Sequence, residues 1–250
     1  MKRIIAIVFV CVLAITAYAY WRWDYGDAYF KRIVAVSQSS SSLHLTGGYY
    51  HVPDEDDFDL SSESTVAFWF WDNDLTWTGS YERYVNHWSP GWFVGWVTDS
   101  GNYKMGIWPE VLYTTFPNIK ANEWHHIAFT RNASFVTVYY DGVQTNQHSS
   151  AAVSASAEPL TCHGEAGPTA DRAYGGIDEL GLWNRVLSAA EIADIALTNR
   201  YITGNVASNI VALYHFDTGT GTNIIDSGPG GYDGGLFGSV SWGTNAFVWP

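Results

Sequence analysis

From residue 43 onward the hydrophobic and polar positions read as short strands separated by turns, and one of them alternates with the two-residue period of a β-strand. Residues 92–98 (WFVGWVT) put Trp92, Val94 and Trp96 on one face and Phe93 and Val97 on the other. Residues 65–71 (TVAFWFW) form a short run rich in β-branched and aromatic side chains. Runs at 103–108, 124–131, 135–140, 143–147, 176–183, 210–216 and 236–242 read as further strands, and turn signals separate nearly all of them. Asp141-Gly142 supplies the φ > 0 pair of a tight hairpin between two of these runs. Ser188-Ala189-Ala190-Glu191 is a capping box, and residues 189–197 carry apolar side chains at helical spacing. This helix stands alone and is expected to pack as a cap. The pattern predicts an all-β fold, a two-sheet antiparallel β-sandwich with one short capping helix.

The amino terminus departs from this pattern. Residues 4–21 are apolar apart from Thr16 and follow Met1-Lys2-Arg3. Two readings stand. Ala17-Tyr18-Ala19 suits a signal peptide cleaved after Ala19. Alternatively, the 18 residues form a signal anchor about 27 Å long, close to the bilayer core, with Tyr20, Trp21 and Trp23 at the outer interface. Either reading exports the body of the protein. It would be membrane-anchored through residues 4–21 with the β domain outside, or secreted. Residues 22–42 read as a juxtamembrane segment and Ser-rich linker ending in SQSSSS, and residues 43–250 as the folded domain.

Composition narrows the partners. Hydrophobic residues at 47 % against charged residues at 15 % exclude a disordered chain. A formal net charge of −13 argues against nucleic acid, whose phosphates such a surface repels. Of the two cysteines, Cys11 lies in the apolar leader and Cys162 in the body, so an intradomain disulfide is not expected.

One ordered set of motifs carries a resemblance. Glu123-Trp124-His125-His126-Ile127-Ala128 leads to Val136-Thr137-Val138-Tyr139-Tyr140-Asp141-Gly142, and then to Gly176-Ile177-Asp178-Glu179-Leu180-Gly181-Leu182-Trp183 with the capped helix behind it. Leu45-Thr46-Gly47-Gly48-Tyr49-Tyr50-His51-Val52-Pro53 precedes them. Residues 43–242 thus resemble the laminin-G-like branch of the concanavalin A-like lectin/glucanase superfamily, which implies a jelly-roll sandwich. Residues 212–234 resemble a segment that this family often places before its first strands. Here they follow the helix, and they are expected to complete the same sandwich.

The family includes lectins, adhesion modules, spacers and glucanases, so fold does not fix function. Its glucanases carry a Glu at each end of a Glu-x-Asp-x-(x)-Glu strand. Here the first Glu is missing, and Asp178 and Glu179 are adjacent, so in a strand they face opposite sides and cannot both flank one bond. No catalysis is expected, and these two acids are expected to hold the strand end. The resemblance implies a calcium ion at a loop rim, with Asp54, Asp56, Asp57 and Asp226 as candidate ligands. His125 and His126 diverge as strand neighbours and do not suit zinc. Sugars stack on Trp and Tyr beside polar handles, which makes Trp77, Tyr81, Trp88, Trp92 and Trp108 the candidate ligand-binding residues. Trp69, Trp124 and Trp183 match core positions of the family. The expected function is a non-catalytic, lectin-like recognition module for a glycan or a surface protein, tethered to a membrane or particle. The alternative is a structural assembly or virion or envelope surface subunit that uses the sandwich as a packing block and binds no sugar, and a third reading is a glycosidase-like enzyme. Oligomeric state is left open.

Overall fold

The computed structural model describes residues 41–60, 63–73, 81–88, 90–99, 102–109, 114–115, 121–163, 171, 173–198 and 204–243. The expected signal segment at 1–21 and most of the linker lie outside the described residues, as does Trp77. Among the described residues no helix is long and apolar enough to cross a membrane.

The chain runs through β1 (Ser42–Leu45), β2 (Tyr49–Val52), a 3-10 turn at Asp56–Asp59, β3 (Ser64–Asp72), β4 (Tyr81–His87), β5 (Trp92–Asp99) and β6 (Asn102–Trp108). It continues through β7 (Thr114–Thr115), β8 (His125–Arg131), β9 (Phe135–Tyr140), β10 (Val143–Ser149), β11 (Leu160–Thr161), β12 (Gly175–Trp183) and α1 (Ala189–Thr198). It ends with β13 (Ile210–Tyr214), β14 (Asn223–Ile224), β15 (Gly234–Phe237) and β16 (Val240–Gly243). Two antiparallel sheets result. The first has the order β10-β9-β8-β3-β12-β1-β16, with β13 also pairing β12; the second has β14-β15-β2-β11-β4-β5-β6-β7. Among the described residues the expected sandwich with one α-helix is what forms.

The core lies between the sheets, where alternating positions meet. The first sheet contributes Leu43, Phe68, Phe70, Ile127, Phe129, Val138, Ile177 and Leu180; the second contributes Tyr50, Tyr84, Trp92, Val94, Trp96 and Met105. Burying each of the larger rings contributes about 1.5–3 kcal/mol before ordering costs. Trp92, Val94 and Trp96 are the inward set of β5, so the alternation read from 92–98 is the one that folds, and Phe93 takes the other face.

A second apolar cluster sits on the outer face of the first sheet. Here Leu187, Ile192 and Ile195 pack against Ala67, Ala128, Tyr139 and Trp183, so the helix covers the sheet as expected. The capping box forms: the Glu191 amide donates to Ser188 Oγ at 3.3 Å, and the Ser188 amide donates to Glu191 Oε2 at 2.8 Å. The Asp141-Gly142 turn has φ of 48° and 79°, as a two-residue hairpin requires.

Two expectations change. The run at 236–242 is not one strand: Gly238, at φ 73°, turns the chain between β15 and β16, which pair in different sheets. The strand expected over 210–216 stops at Tyr214. The segment after the helix does complete the sandwich. It supplies β13 and β16 to the first sheet and β14 and β15 to the second.

Candidate functional site

The candidate site is built on the outer face of the second sheet. His51 pairs with Thr161, Thr161 with Asn86, Asn86 with Phe93, and Phe93 with Trp108, so these five side chains form one row across five strands. Directly opposed antiparallel residues share a face, so the row lies opposite the core side of the sheet.

A β-bulge decides what else reaches this face. The β4–β5 register shifts between Arg83 and Val85. The extra residue lets both Tyr84 and Val85 enter the core, and it returns Arg83 to the face that carries Asn86. The Arg83 guanidinium carbon stands 4.1 Å from the Phe93 ring centroid. Arg83 Nη1 donates to Asn86 Oδ1 at 2.8 Å, and Nη2 lies 3.4 Å from Asp171 Oδ2. Arg83, Asn86 and Phe93 are all buried.

The aromatic side chains extend from this anchor. Phe93 and Trp108 stack with planes 5° apart and centroids at 6.1 Å. Trp88, in the turn after β4, sets its edge against Trp108 at 5.5 Å and against Phe93 at 6.0 Å. Trp88 and Trp108 are half-exposed. In the adjacent row Arg83, Gly95 and Gly106 pair in turn, so the two glycines leave that row open and Arg83 extends over the Phe93 ring. A Cβ on Gly95 would meet the Glu82 carbonyl oxygen at 2.3 Å, so a larger residue does not fit without moving backbone.

Of the aromatic candidates read from the sequence, the structure brings Trp88 and Trp108 together. Tyr81 lies at the start of β4. Trp92 requires a correction. It is 1 % exposed and faces the core, where its indole N–H donates to the Phe58 carbonyl at 2.7 Å. No sugar can stack on it there, and it fastens the acidic loop to the sheet. Arg83, Phe93 and Asp171 were missed, while Asn86 belongs to the polar residues that the sequence places beside the aromatic candidates. Phe93 was legible as the residue opposite Trp92 and Trp96; the other two depended on the bulge and on loop placement.

The acidic candidates do not converge. Asp54, Asp56 and Asp57 are exposed. Asp57 Oδ2 accepts from the Tyr232 hydroxyl at 2.5 Å, and this raises the phenol to a pKa of about 12. Asp226 is buried. Its Oδ1 accepts from the amides of Leu213 and Gly228, each at 2.7 Å, and its Oδ2 accepts from the Tyr232 amide at 3.0 Å. Its lone pairs thus hold the loop after β14. A calcium shell needs about 6–8 oxygens. Among the described residues no group of three or more His, Cys, Asp or Glu is arranged to hold a metal ion. These four residues do not fit a shared calcium site.

The paired histidines of β8 serve the first sheet. His125 Nδ1 lies 3.0 Å from Asp141 Oδ2, and the His126 amide donates to Asp141 Oδ1 at 2.9 Å. The hairpin turn is thereby tied to the strand beside it. The two histidine rings diverge: His125 stacks on Tyr140, while His126 meets Trp69 on the outer face. Burial outweighs the nearby Asp141 charge and pulls the His126 pKa down to about 3.

Comparison with known proteins agrees with this architecture. No curated protein matches the chain in sequence. A crystal structure of a candidate carbohydrate-binding protein from Bacteroides ovatus aligns with a TM-score of 0.63 at 13 % identity, covering 85 % of this chain and 61 % of that one. A pentraxin from Limulus polyphemus aligns at 0.50 with 13 % identity, covering 65 % and 84 %. Domain 4 of an arabinanase from Geobacillus stearothermophilus, solved with arabinotriose, aligns at 0.48 with 20 % identity, covering 62 % and 76 %. At these identities the likeness is one of fold. A laminin-G family model matches residues 44–193, more than half of the chain, and the protein therefore belongs to the concanavalin A-like lectin/glucanases superfamily.

Proposed function

We propose that this protein is a non-catalytic carbohydrate-binding module that recognises its glycan at the Trp88–Trp108–Phe93 cluster. The carrying observation is the pairing of half-exposed indoles with a rigid base, in which buried Phe93 is clamped between Trp108 and the Arg83 guanidinium. A ring held this way keeps its neighbours in place, so little ordering cost remains on binding. The indole faces suit the C–H face of a pyranose or furanose, as aromatic side chains with polar neighbours do in small-molecule sites. The carbohydrate-binding assignment of the Bacteroides ovatus relative supports this reading.

The two acids nearest to a glucanase motif serve another purpose. Asp178 and Glu179 lie on β12 of the first sheet, not beside the indoles. Asp178 Oδ1 accepts from the Glu179 amide, and Glu179 Oε2 binds His215. Both are buried. The module is exported, with residues 4–21 as leader or tether. Display on a surface would raise the avidity of weak single sites.

The test is binding of the full chain to an array of neutral and acidic oligosaccharides, presented on multivalent beads with calcium and with chelator. Saturable binding that a W88A/W108A variant loses while keeping its melting temperature supports the reading. A folded protein that binds no saccharide rejects it.

A further inference from the structure

We infer that the opposite end of the same sheet face holds a second stacking subsite for a neutral saccharide, centred on Phe237 and backed by Tyr49, His51 and His163. This inference rests on the carbohydrate reading above. Phe237 is the last residue of β15 and pairs directly with Tyr49 of β2. Their rings stack at 5.4 Å with planes 18° apart. His51 sets its ring edge-on to Phe237 at 5.9 Å, and His163 sets its ring edge-on to Tyr49 at 4.8 Å. Phe237 is 49 % exposed, one of five exposed large apolar side chains among the described residues, and Tyr49, His51 and His163 are half-buried. One ring face is thus offered to solvent, with a second ring behind it and two imidazoles at its rim.

The backbone holds this platform in place. The Gly48 amide donates to the Ser239 carbonyl at 2.7 Å, and Thr46 Oγ1 donates to the same oxygen at 2.9 Å. A Cβ on Gly48 would come within 2.4 Å of the Phe237 carbonyl oxygen, so only glycine lets β2 approach this closely. The tight turn at Gly238, with φ 73°, fixes the end of β15. Phe237 is therefore presented by a locked strand end and not by a free loop.

The chemistry selects the ligand. Tyr49, His51 and His163 bring hydroxyl and imidazole groups able to donate to and accept from sugar hydroxyls, as in other polar-handled aromatic sites. None of the four side chains carries a fixed charge. The chain has a formal net charge of −13, which repels uronic and sialic acids. A neutral sugar fits both conditions. Because His51 shares a row with Trp108, the platform lies on the same face as the indole cluster. From β15, which carries Phe237, to β6, which carries Trp108, there are five strand steps, or about 24 Å at the usual interstrand spacing. Two subsites at that separation favour a long chain over a short oligosaccharide through effective concentration.

Affinity gel electrophoresis of the full chain tests this against neutral glucans, galactans, mannans and arabinans, and against alginate and polygalacturonate. F237A should weaken binding to the retained neutral polymer about tenfold. F237L, which keeps apolar bulk but loses the ring face, should do the same at an unchanged melting temperature. Combining F237L with W108A should abolish retention. Wild-type binding that both Phe237 variants leave intact overturns the second subsite and leaves the carbohydrate reading standing. Equal retention by the acidic polymers overturns the ligand class. No retention of the wild-type protein by any polymer removes the carbohydrate reading itself.

Discussion

Glu179 Oε2 stands 2.6 Å from His215 Nδ1, joining two residues 36 positions apart in the sequence. Glu179 is buried at φ 51°, within an interruption of the central strand β12. The register against β3 runs from Asp178↔Trp69 to Gly181↔Ala67, so β12 carries one residue more than its partner there. That extra residue lets Ile177 and Leu180, three apart, both enter the core. The displaced carboxylate is met by the histidine just past β13. Burial opposes a charge on His215, but the hydrogen bond and charge of Glu179, with Asp217 adding, outweigh it, so the His215 pKa is raised.

A stability profile follows from that pair. A histidine whose folded pKa is raised contributes stability that is full below its unfolded value near 6.5 and is lost as pH rises through the folded value. The melting temperature of H215Q should therefore fall below that of the wild type most at acidic pH, and the gap should narrow toward pH 8. A gap that does not change with pH would show that His215 acts by packing alone.

His126 should give the opposite slope. Its folded pKa is depressed to about 3. The unfolded chain takes up the proton first, so stability is full above about 6.5 and declines as pH falls toward the folded value. Replacing His126 with Gln should flatten the acid limb of the melting curve between about pH 6.5 and pH 3. An unchanged acid limb would place its origin elsewhere.

The helix cap offers a separable test. Arg185 Nη2 and Nη1 donate to Glu191 Oε1 and Oε2 at 2.8 Å and 3.1 Å, and this lowers the Glu191 pKa to about 2. Stability from that carboxylate is present above the ordinary glutamate value and is lost as pH falls through about 2. S188A should cost about 1 kcal/mol in denaturant unfolding at neutral pH. The loss should be the same in the W88A/W108A background, because the two sites lie on opposite sheets.

Trp92 and Trp108, which face each other's strands but opposite surfaces, should separate stability from binding. W92A removes a fully buried indole and leaves the Phe58 carbonyl unpaired, so a loss of about 3–5 kcal/mol is expected. W108A should cost much less stability and weaken glycan retention. Unfolding midpoints measured beside retention on one polymer would check both, and equal destabilisation by the two changes would contradict this division.

Local pattern was enough to read the sandwich. Alternation in 92–98 gave the inward face of β5, Asp141-Gly142 gave the hairpin, and Ser188 with Glu191 gave the start of the helix. Each of these depends on contacts within a few residues, which the order of side chains specifies directly. Trp88 and Trp108 were also legible as aromatic residues near turns. Their partners were not. Arg83 and Asn86 would face opposite ways in a regular strand, and only the bulge at Tyr84 brings them to one surface. Glu179 and His215, or Tyr49 and Phe237, meet only because β12 pairs with β13 and β2 with β15. Strand parity is set by the chain, but where an extra residue is inserted depends on which partner strand it must fit. The sequence by itself therefore determined the family of fold and the faces of a regular strand such as β5. Tertiary structure decided which polar and aromatic residues share the outer ones, because that choice rests on register between distant strands.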